Sequence, residues 1–103
     1  MAAFCFFDIH DFLDECKIET YRAGVLATVR QHQGRYRILG GKCLSIEGDW
    51  VPDFPLLIEF PDMARALEWY RSAEYRDLRR LRLEGARGDA LFLECEPGEF
   101  IDG

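Results

Sequence analysis

Positive charge is scarce in this chain, and lysine is nearly missing. Thirteen Lys and Arg residues stand against nineteen Asp and Glu residues, which gives a net charge of −6, and the only lysines are Lys17 and Lys42. Because an acidic protein repels a phosphate backbone, this balance argues against nucleic acid as a partner. The arginines between Arg65 and Arg82 alternate with acidic residues, so we interpret this stretch as a solvated, salt-bridged helix face rather than a phosphate-binding patch.

Long hydrophobic runs are missing as well, and cysteines are few. No apolar segment approaches the roughly 20 residues needed to span a bilayer, so we expect no membrane partner. The opening residues 1–7 carry no cation and are followed by Asp8, which is not the pattern of a secretory signal. No Cys-x-x-Cys pair and no zinc-ligand spacing is formed by the four cysteines, Cys5, Cys16, Cys43 and Cys95. Each lies in or beside an apolar segment, so we expect reduced, mostly buried thiols in a cytoplasmic protein.

Sequence motifs for cofactors and metals are also missing. The chain contains no G-x-G-x-x-G, no P-loop lysine and no H-E-x-x-H. Its histidines are His10 and His32, and His32 falls at the expected end of a helix. We therefore expect neither a cofactor nor a bound metal.

The residues that are present alternate between strand and helix patterns. The chain has 103 residues and is 49% apolar, which suits a single globular domain with its core at about 4–95. Apolar residues on alternating faces predict strands at 3–12, 35–46, 56–60 and 89–95. Helices are predicted from the cap Asp14 to about Gln33, and from Asp62 to about Gly85 with a restart at Ser72. Gly40 and Gly41 indicate a bulge or a close backbone approach within the second strand.

The order β-α-β-β-α-β predicts a ferredoxin-like sandwich. Two right-handed crossovers place both helices on one face of a four-stranded antiparallel sheet, with the first and third strands in the centre. Those two strands are apolar on both faces, but the two helices cover only one face of the sheet. The uncovered face would expose too much apolar surface for a lone domain. We therefore expect a homodimer that packs sheet to sheet as an α+β barrel.

Three polar residues are candidates for a functional site. His10 lies two residues after Asp8 on one strand, so both point to one face, where the imidazole is either a general base or part of a polar pair at the strand end. Arg37 on the edge strand either binds a ligand carboxylate or is a solvated charge that disfavours pairing of this edge with another strand. Glu59 interrupts an apolar strand, so its carboxylate must be paired or protonated, as a structural network member or as an acid.

Three aromatic residues flank the expected helix break at Ser72, namely Trp69, Tyr70 and Tyr75. They either cover a pocket over the sheet and bind a flat ligand, or pack in the core at helical spacing. A bent helix leaves a gap that a straight one would close, so a ligand cavity is predicted between sheet and helices near Ser72.

Several short motifs occur together along the chain. They are Gly40-Gly41-Lys42, Glu47-Gly48-Asp49-Trp50, Glu59-Phe60-Pro61, Trp69-Tyr70-x-Ser72-x-Glu74-Tyr75 and Gly88-Asp89. In this order, over about residues 4–95, they resemble a small bacterial family catalogued as domain of unknown function 1330. The resemblance implies membership of the dimeric α+β barrel superfamily, which includes cofactor-free monooxygenases and isomerases. Their catalytic residues do not correspond to motifs of this sequence.

The sequence is compatible with three functions. One is a binding module that takes a small apolar or aromatic molecule in each subunit. Another is a cofactor-free monooxygenase or isomerase acting on a small organic acid, quinol or lactone. The third is a structural dimer whose aromatic residues fill the pocket. Pocket volume separates the third from the others, and an enzyme should also aim an ionisable group with a perturbed pKa into the pocket.

Overall fold

A computed structural model of the protein describes residues 1–96, so the expected anchors of the polar tail, Phe100 and Ile101, lie outside the described residues. The elements are β1 (Ala3–Phe12), α1 (Glu15–Gln31), β2 (Arg35–Leu39), β3 (Pro55–Phe60), α2 (Met63–Arg71), α3 (Ala73–Gly85) and β4 (Ala86–Glu94). Among residues 1–96, no helix combines the length and the hydrophobicity needed to cross a membrane.

The strands form one sheet in the order β2-β3-β1-β4, and every neighbouring pair is antiparallel. The ferredoxin-like prediction is therefore confirmed, with β1 and β3 in the centre. Cys5 pairs with Ile58 of β3 on one side and with Phe92 of β4 on the other. The side chains of these three residues all face the helices.

The core lies between the sheet and the helices. Alternate residues of the central strands supply its sheet side, and one stripe of each helix supplies the other side. The buried core residues are Ala3, Cys5, Phe7, Val25, Val29, Ile58, Phe60, Ala66, Trp69 and Tyr75. The intervening residues of the strands, among them Phe6, Leu91 and Leu93, face away from the helices. We call that side the open face of the sheet.

The helix break at Ser72 is confirmed. Ser72 is extended, with φ −69° and ψ 156°, and it ends α2 and begins α3. Its hydroxyl donates to the Trp69 carbonyl at 2.8 Å and accepts from the Tyr75 N–H at 3.2 Å. One side chain thus satisfies backbone groups at two helix ends.

The second strand is shorter than the pattern predicts, and the fourth begins earlier. β2 ends at Leu39 because Gly40 and Gly41 have φ angles of +74° and +120°, which leave the extended range. A Cβ on Gly40 would lie 2.8 Å from the ring of Phe54, so this is a close approach that only glycine permits. Residues 41–54 then form a long loop. β4 starts at Ala86, directly after α3, instead of at residue 89.

Candidate functional site

A cavity of about 510 Å³ opens between the sheet and α1. Its volume lies in the range of sites for small organic molecules. Its apolar walls are formed by Ile9, Phe12, Ile18, Val25, Leu26, Leu39, Phe54, Leu56 and Ala86. Its polar lining is formed by Tyr21, Arg22, Tyr36 and Arg82. The cavity is thus mostly apolar, with phenols and guanidinium groups as its polar contacts.

Local structure explains why these side chains meet. Leu39 is the last residue of β2, and Phe54 precedes β3, where its ring packs edge-on against Phe12 at 5.6 Å between centroids. Ile18 and Val25 lie two turns apart on the buried stripe of α1. The early end of β2 at the two glycines therefore leaves Leu39 and Phe54 at the mouth of the cavity.

Arg82 is the buried charge at this site. It projects from the last turn of α3 and is only 8% exposed. Its Nε donates to the hydroxyl of Tyr75 at 3.3 Å, and its guanidinium lies 5.1 Å from the centroid of the Phe7 ring. None of the ion pairs formed within residues 1–96 includes Arg82. The guanidinium thus faces an apolar cavity without a carboxylate of that part of the chain beside it.

Three tyrosine hydroxyls lie around this guanidinium. The hydroxyls of Tyr21 and Tyr75 are 2.9 Å apart, and Tyr36 lines the cavity from β2. Burial raises the pKa of Tyr21, Tyr36 and Tyr75 above the ordinary phenol value. All three are therefore neutral at physiological pH and serve as hydrogen-bond donors as well as acceptors.

The predicted aromatic candidates belong to the core rather than to this cavity. Trp69 and Tyr75 are fully buried, and their ring centroids are 4.2 Å apart. The extended residue Ser72 brings the two rings together, so they fill the gap that a bent helix was expected to leave. The predicted position of the cavity near Ser72 is therefore wrong. Tyr70 packs on Phe92 at 5.7 Å, and none of the three aromatic candidates lines the cavity.

Arg37 and Glu59 form an ion pair on the open face. The Nε of Arg37 donates to Oε1 of Glu59 at 2.6 Å, and Arg35 approaches the same oxygen at 3.9 Å. Of the two states predicted for Glu59, paired or protonated, the structure shows the paired carboxylate. Neither Arg37 nor Glu59 lines the cavity.

His10 is held between carboxylates at a β-bulge. Its Nδ1 lies 2.6 Å from Oδ2 of Asp53 and its Nε2 lies 2.9 Å from Oδ2 of Asp89, while the pairing of β1 with β4 shifts between Ile9 and Asp11. Hydrogen bonds to Asp89 and then to Asp53 raise the pKa of His10 to about 9. The imidazole is therefore protonated at neutral pH, which fits a polar pair at the strand end and not a general base.

The same cluster has the donor atoms of a metal site. Ligand atoms of Asp8, His10 and Asp53 lie within 4.8 Å of one another. Asp8, however, is buried, and its Oδ1 accepts the backbone N–H groups of Asp53 and Phe54 at 2.9 and 3.0 Å. These bonds, together with the protonated imidazole, connect β1 to the residues that precede β3, so we interpret the cluster as structural.

The cysteines are free, but they are less buried than expected. Cys5 is buried, and burial raises its pKa to about 12. Cys16 is exposed, while Cys43 and Cys95 are partly buried. The expectation of mostly buried thiols is thus wrong for Cys16, because it occupies the solvent side of the first turn of α1.

One protein family is identified by the sequence. Its family model, described as "Domain of unknown function (DUF1330)", matches residues 2–95. The chain belongs to the DUF1330 family. The resemblance inferred from the motifs between Gly40 and Asp89 is thereby confirmed. No curated protein matches this DUF1330 chain.

Solved structures share the DUF1330 fold at low sequence identity. A protein of unknown function from Rhodopseudomonas palustris has a TM-score of 0.69 and 15% identity, over 94% of this chain and 84% of its own. SnoaB, a cofactor-independent oxygenase from Streptomyces nogalater, has a TM-score of 0.54 and 12% identity, over 94% and 93%. A dimeric ferredoxin-like protein of unknown function from Thermobifida fusca has a TM-score of 0.52 and 7% identity, over 92% and 92%. At these identities the likeness establishes the fold.

Sequence reasoning missed the polar end of the DUF1330 cavity. The charges around Arg82 alternate in sign, and this pattern predicts a solvated face. Tyr75, Leu78 and Arg82 nevertheless follow one another at steps of three and four, which places Arg82 on the inward stripe of α3. That spacing is a signal that could have identified it. Tyr21 and Tyr36 come from α1 and β2, and only the folded chain brings them beside Arg82.

Proposed function

We propose that this DUF1330 protein binds a small, largely apolar organic molecule in the cavity between α1 and the sheet. The observation that carries the proposal is the cavity itself, which has about 510 Å³ and mostly apolar walls. A water-filled apolar cavity of this size is unfavourable, and an apolar ligand that displaces the water gains the hydrophobic free energy of burial.

The polar lining favours binding over proton abstraction. Among the described residues that line the cavity, the ionisable groups are two phenols and two guanidiniums. The phenols keep their protons at neutral pH because burial raises their pKa. Guanidiniums also remain protonated, so the lining supplies hydrogen-bond donors and positive charge but no base to start a reaction.

Blocking the mouth of the cavity tests this proposal. Leu26 lines the cavity although 41% of its surface is exposed, so Leu26→Trp should obstruct entry with little cost to the core. We expect calorimetric titration with the neutral probe 2-naphthylmethanol to show binding that this variant weakens about tenfold. Leu83→Trp is the matched control, because Leu83 is exposed on α3 away from the cavity. Absence of binding to the unchanged protein, or equal affinity in all three proteins, would contradict the proposal.

We also infer a homodimer formed through the open face. Leu91 and Leu93 are about half exposed there, and Trp50 folds over Phe6 at 6.1 Å between centroids. Burial of such a surface against a second copy is favourable. The description of the Thermobifida fusca structure as a dimeric ferredoxin-like protein supports a dimer.

We further infer that residues 1–103 form one domain and that the protein is cytoplasmic. A family match over residues 2–95 and a single sheet support the domain assignment. The exposed thiol of Cys16 supports the location, because an exposed free thiol persists in a reducing compartment.

A further inference from the structure

We propose that the ligand of this cavity is an apolar carboxylic acid in its ionised form, and that Arg82 and Tyr21 bind its carboxylate. This inference rests on the proposed function and adds to it the chemical class of the ligand. Three observations carry it: the unpaired charge of Arg82, the hydrogen bond between the hydroxyls of Tyr21 and Tyr75, and the position of Arg82 and Tyr21 on the cavity wall.

The first observation is that Arg82 lacks a counter-charge in the described part of the chain. Its side chain is more than nine-tenths buried, and within residues 1–96 it forms no ion pair. Its one hydrogen bond there joins Nε to the hydroxyl of Tyr75. A buried charge is costly unless it is paired, and a guanidinium retains further N–H groups for a planar carboxylate. An anion in the cavity would supply the missing charge.

The second observation is the hydrogen bond between the hydroxyls of Tyr75 and Tyr21. Tyr75 is fully buried and accepts the Nε–H of Arg82, so its own proton needs an acceptor inside the protein. The hydroxyl of Tyr21 lies 2.9 Å away, within reach of that proton. With Tyr75 as the donor of this bond, the O–H of Tyr21 is left without a partner among these groups. Because Tyr21 lines the cavity, a ligand oxygen that reaches this hydroxyl would receive that proton.

The third observation is that these donors occupy the wall of an otherwise apolar cavity. Arg82 and Tyr21 both line it, and Tyr36 adds a neutral phenol beside them. The second guanidinium of the cavity differs, because Arg22 is exposed and lies 5.3 Å from the ring centroid of Phe12 at the solvent side. The site thus combines one buried anion-binding group with apolar walls for the remainder of the ligand.

Two probes with the same ring system test the inference. We expect 2-naphthoate to bind about tenfold more tightly than the neutral 2-naphthylmethanol in calorimetric titrations at low ionic strength, because a charge-assisted hydrogen bond is stronger than a neutral one. Arg82→Met should abolish this preference and leave the affinity for the alcohol within about threefold. Tyr21→Phe should reduce the preference by a smaller factor. Arg80→Met is the matched control and should keep it, because Arg80 is an exposed arginine of α3 that does not line the cavity.

The outcomes separate this inference from the proposed function. Equal binding of both probes would overturn the carboxylate and leave the apolar cavity in place, whereas no binding of either probe would contradict the proposed function. A preference that persists in Arg82→Met would overturn the role of Arg82. If Arg82→Met does not fold by circular dichroism, Arg82→Lys replaces it. That variant keeps the charge without the planar fork, so it should reduce the preference, and an unchanged preference would contradict the assignment.

Discussion

At the scale of single residues, the charge of His10 links pH to stability. Its pKa is raised from 6.5 to about 9 by Asp89 and then by Asp53. A raised pKa means that the folded state binds the proton more tightly than the unfolded state. The contribution of this group is therefore complete below pH 6.5 and is lost as the pH rises through about 9. Between pH 6.5 and about 9, we expect the urea concentration at the midpoint of unfolding to fall less in His10→Gln than in the unchanged protein.

Nuclear magnetic resonance can assign that effect to its partners. The imidazole of His10 should titrate near pH 9, and Asp89→Asn and Asp53→Asn should each lower its pKa, because both carboxylates are hydrogen-bonded to the ring and raise its pKa. A midpoint close to 6.5 in the unchanged protein would contradict the described cluster.

Thr28 is a second residue with a distinct expected effect. Its hydroxyl donates to the Val25 carbonyl at 2.7 Å and accepts from Nε1 of Trp69 at 3.0 Å. Thr28→Val keeps the shape but leaves the buried indole N–H without an acceptor, at a cost of about 1–3 kcal/mol in the free energy of unfolding. Thr28→Ser should retain most of the stability. Thr20→Val is the control, since Thr20 is exposed on the same helix, and urea curves showing equal losses at both threonines would argue against this bond.

At the scale of elements, Ser72 determines how two helices meet. Its hydroxyl bonds to Trp69 at the end of α2 and to Tyr75 at the start of α3. Ser72→Ala should therefore lower the free energy of unfolding by about 1 kcal/mol, the usual value for a lost N-cap. Ser45→Ala removes an exposed loop hydroxyl and should be nearly neutral in the same denaturant titration. Equal effects of the two substitutions would show that the cap contributes nothing.

The order of elements was predictable because it depends on local patterns. Apolar residues on both faces of the strand identify β1 and β3, and the sequence Ser72-Ala73-Glu74 marks the helix restart as a new N-cap. The end of β2 was misplaced because Gly40 permits both a bulge and a positive φ, and only the nearby ring of Phe54 decides between them. The cavity was misplaced for a related reason. Whether Trp69 and Tyr75 cover a gap or fill it depends on packing between distant segments.

At the scale of the whole molecule, the proposed dimer through the open face predicts the mass in solution. We expect sedimentation at micromolar concentration to give twice the chain mass of 12.0 kDa. Leu91→Lys places a charge on the open face and should produce monomers, because an unpaired charge is costly in an apolar interface. Leu83→Lys changes a comparably exposed leucine on α3 and should leave the dimer intact. A stable monomer of the unchanged protein would contradict the α+β barrel.

The direct passage from α3 into β4 has a further consequence for recognition. The carbonyl of Gly85 accepts the N–H groups of Leu13 and Asp14 at 2.7 and 3.1 Å, so the last turn of α3 is fastened to the end of β1 and the beginning of α1. Arg82 belongs to that turn, and its side chain is buried and hydrogen-bonded to Tyr75, so it would lose little conformational freedom on binding the proposed anion. The entropic cost of association would then fall on the ligand rather than on the protein. Such a preorganised site favours rigid molecules, so a fused-ring acid should bind more tightly than a flexible chain of the same size.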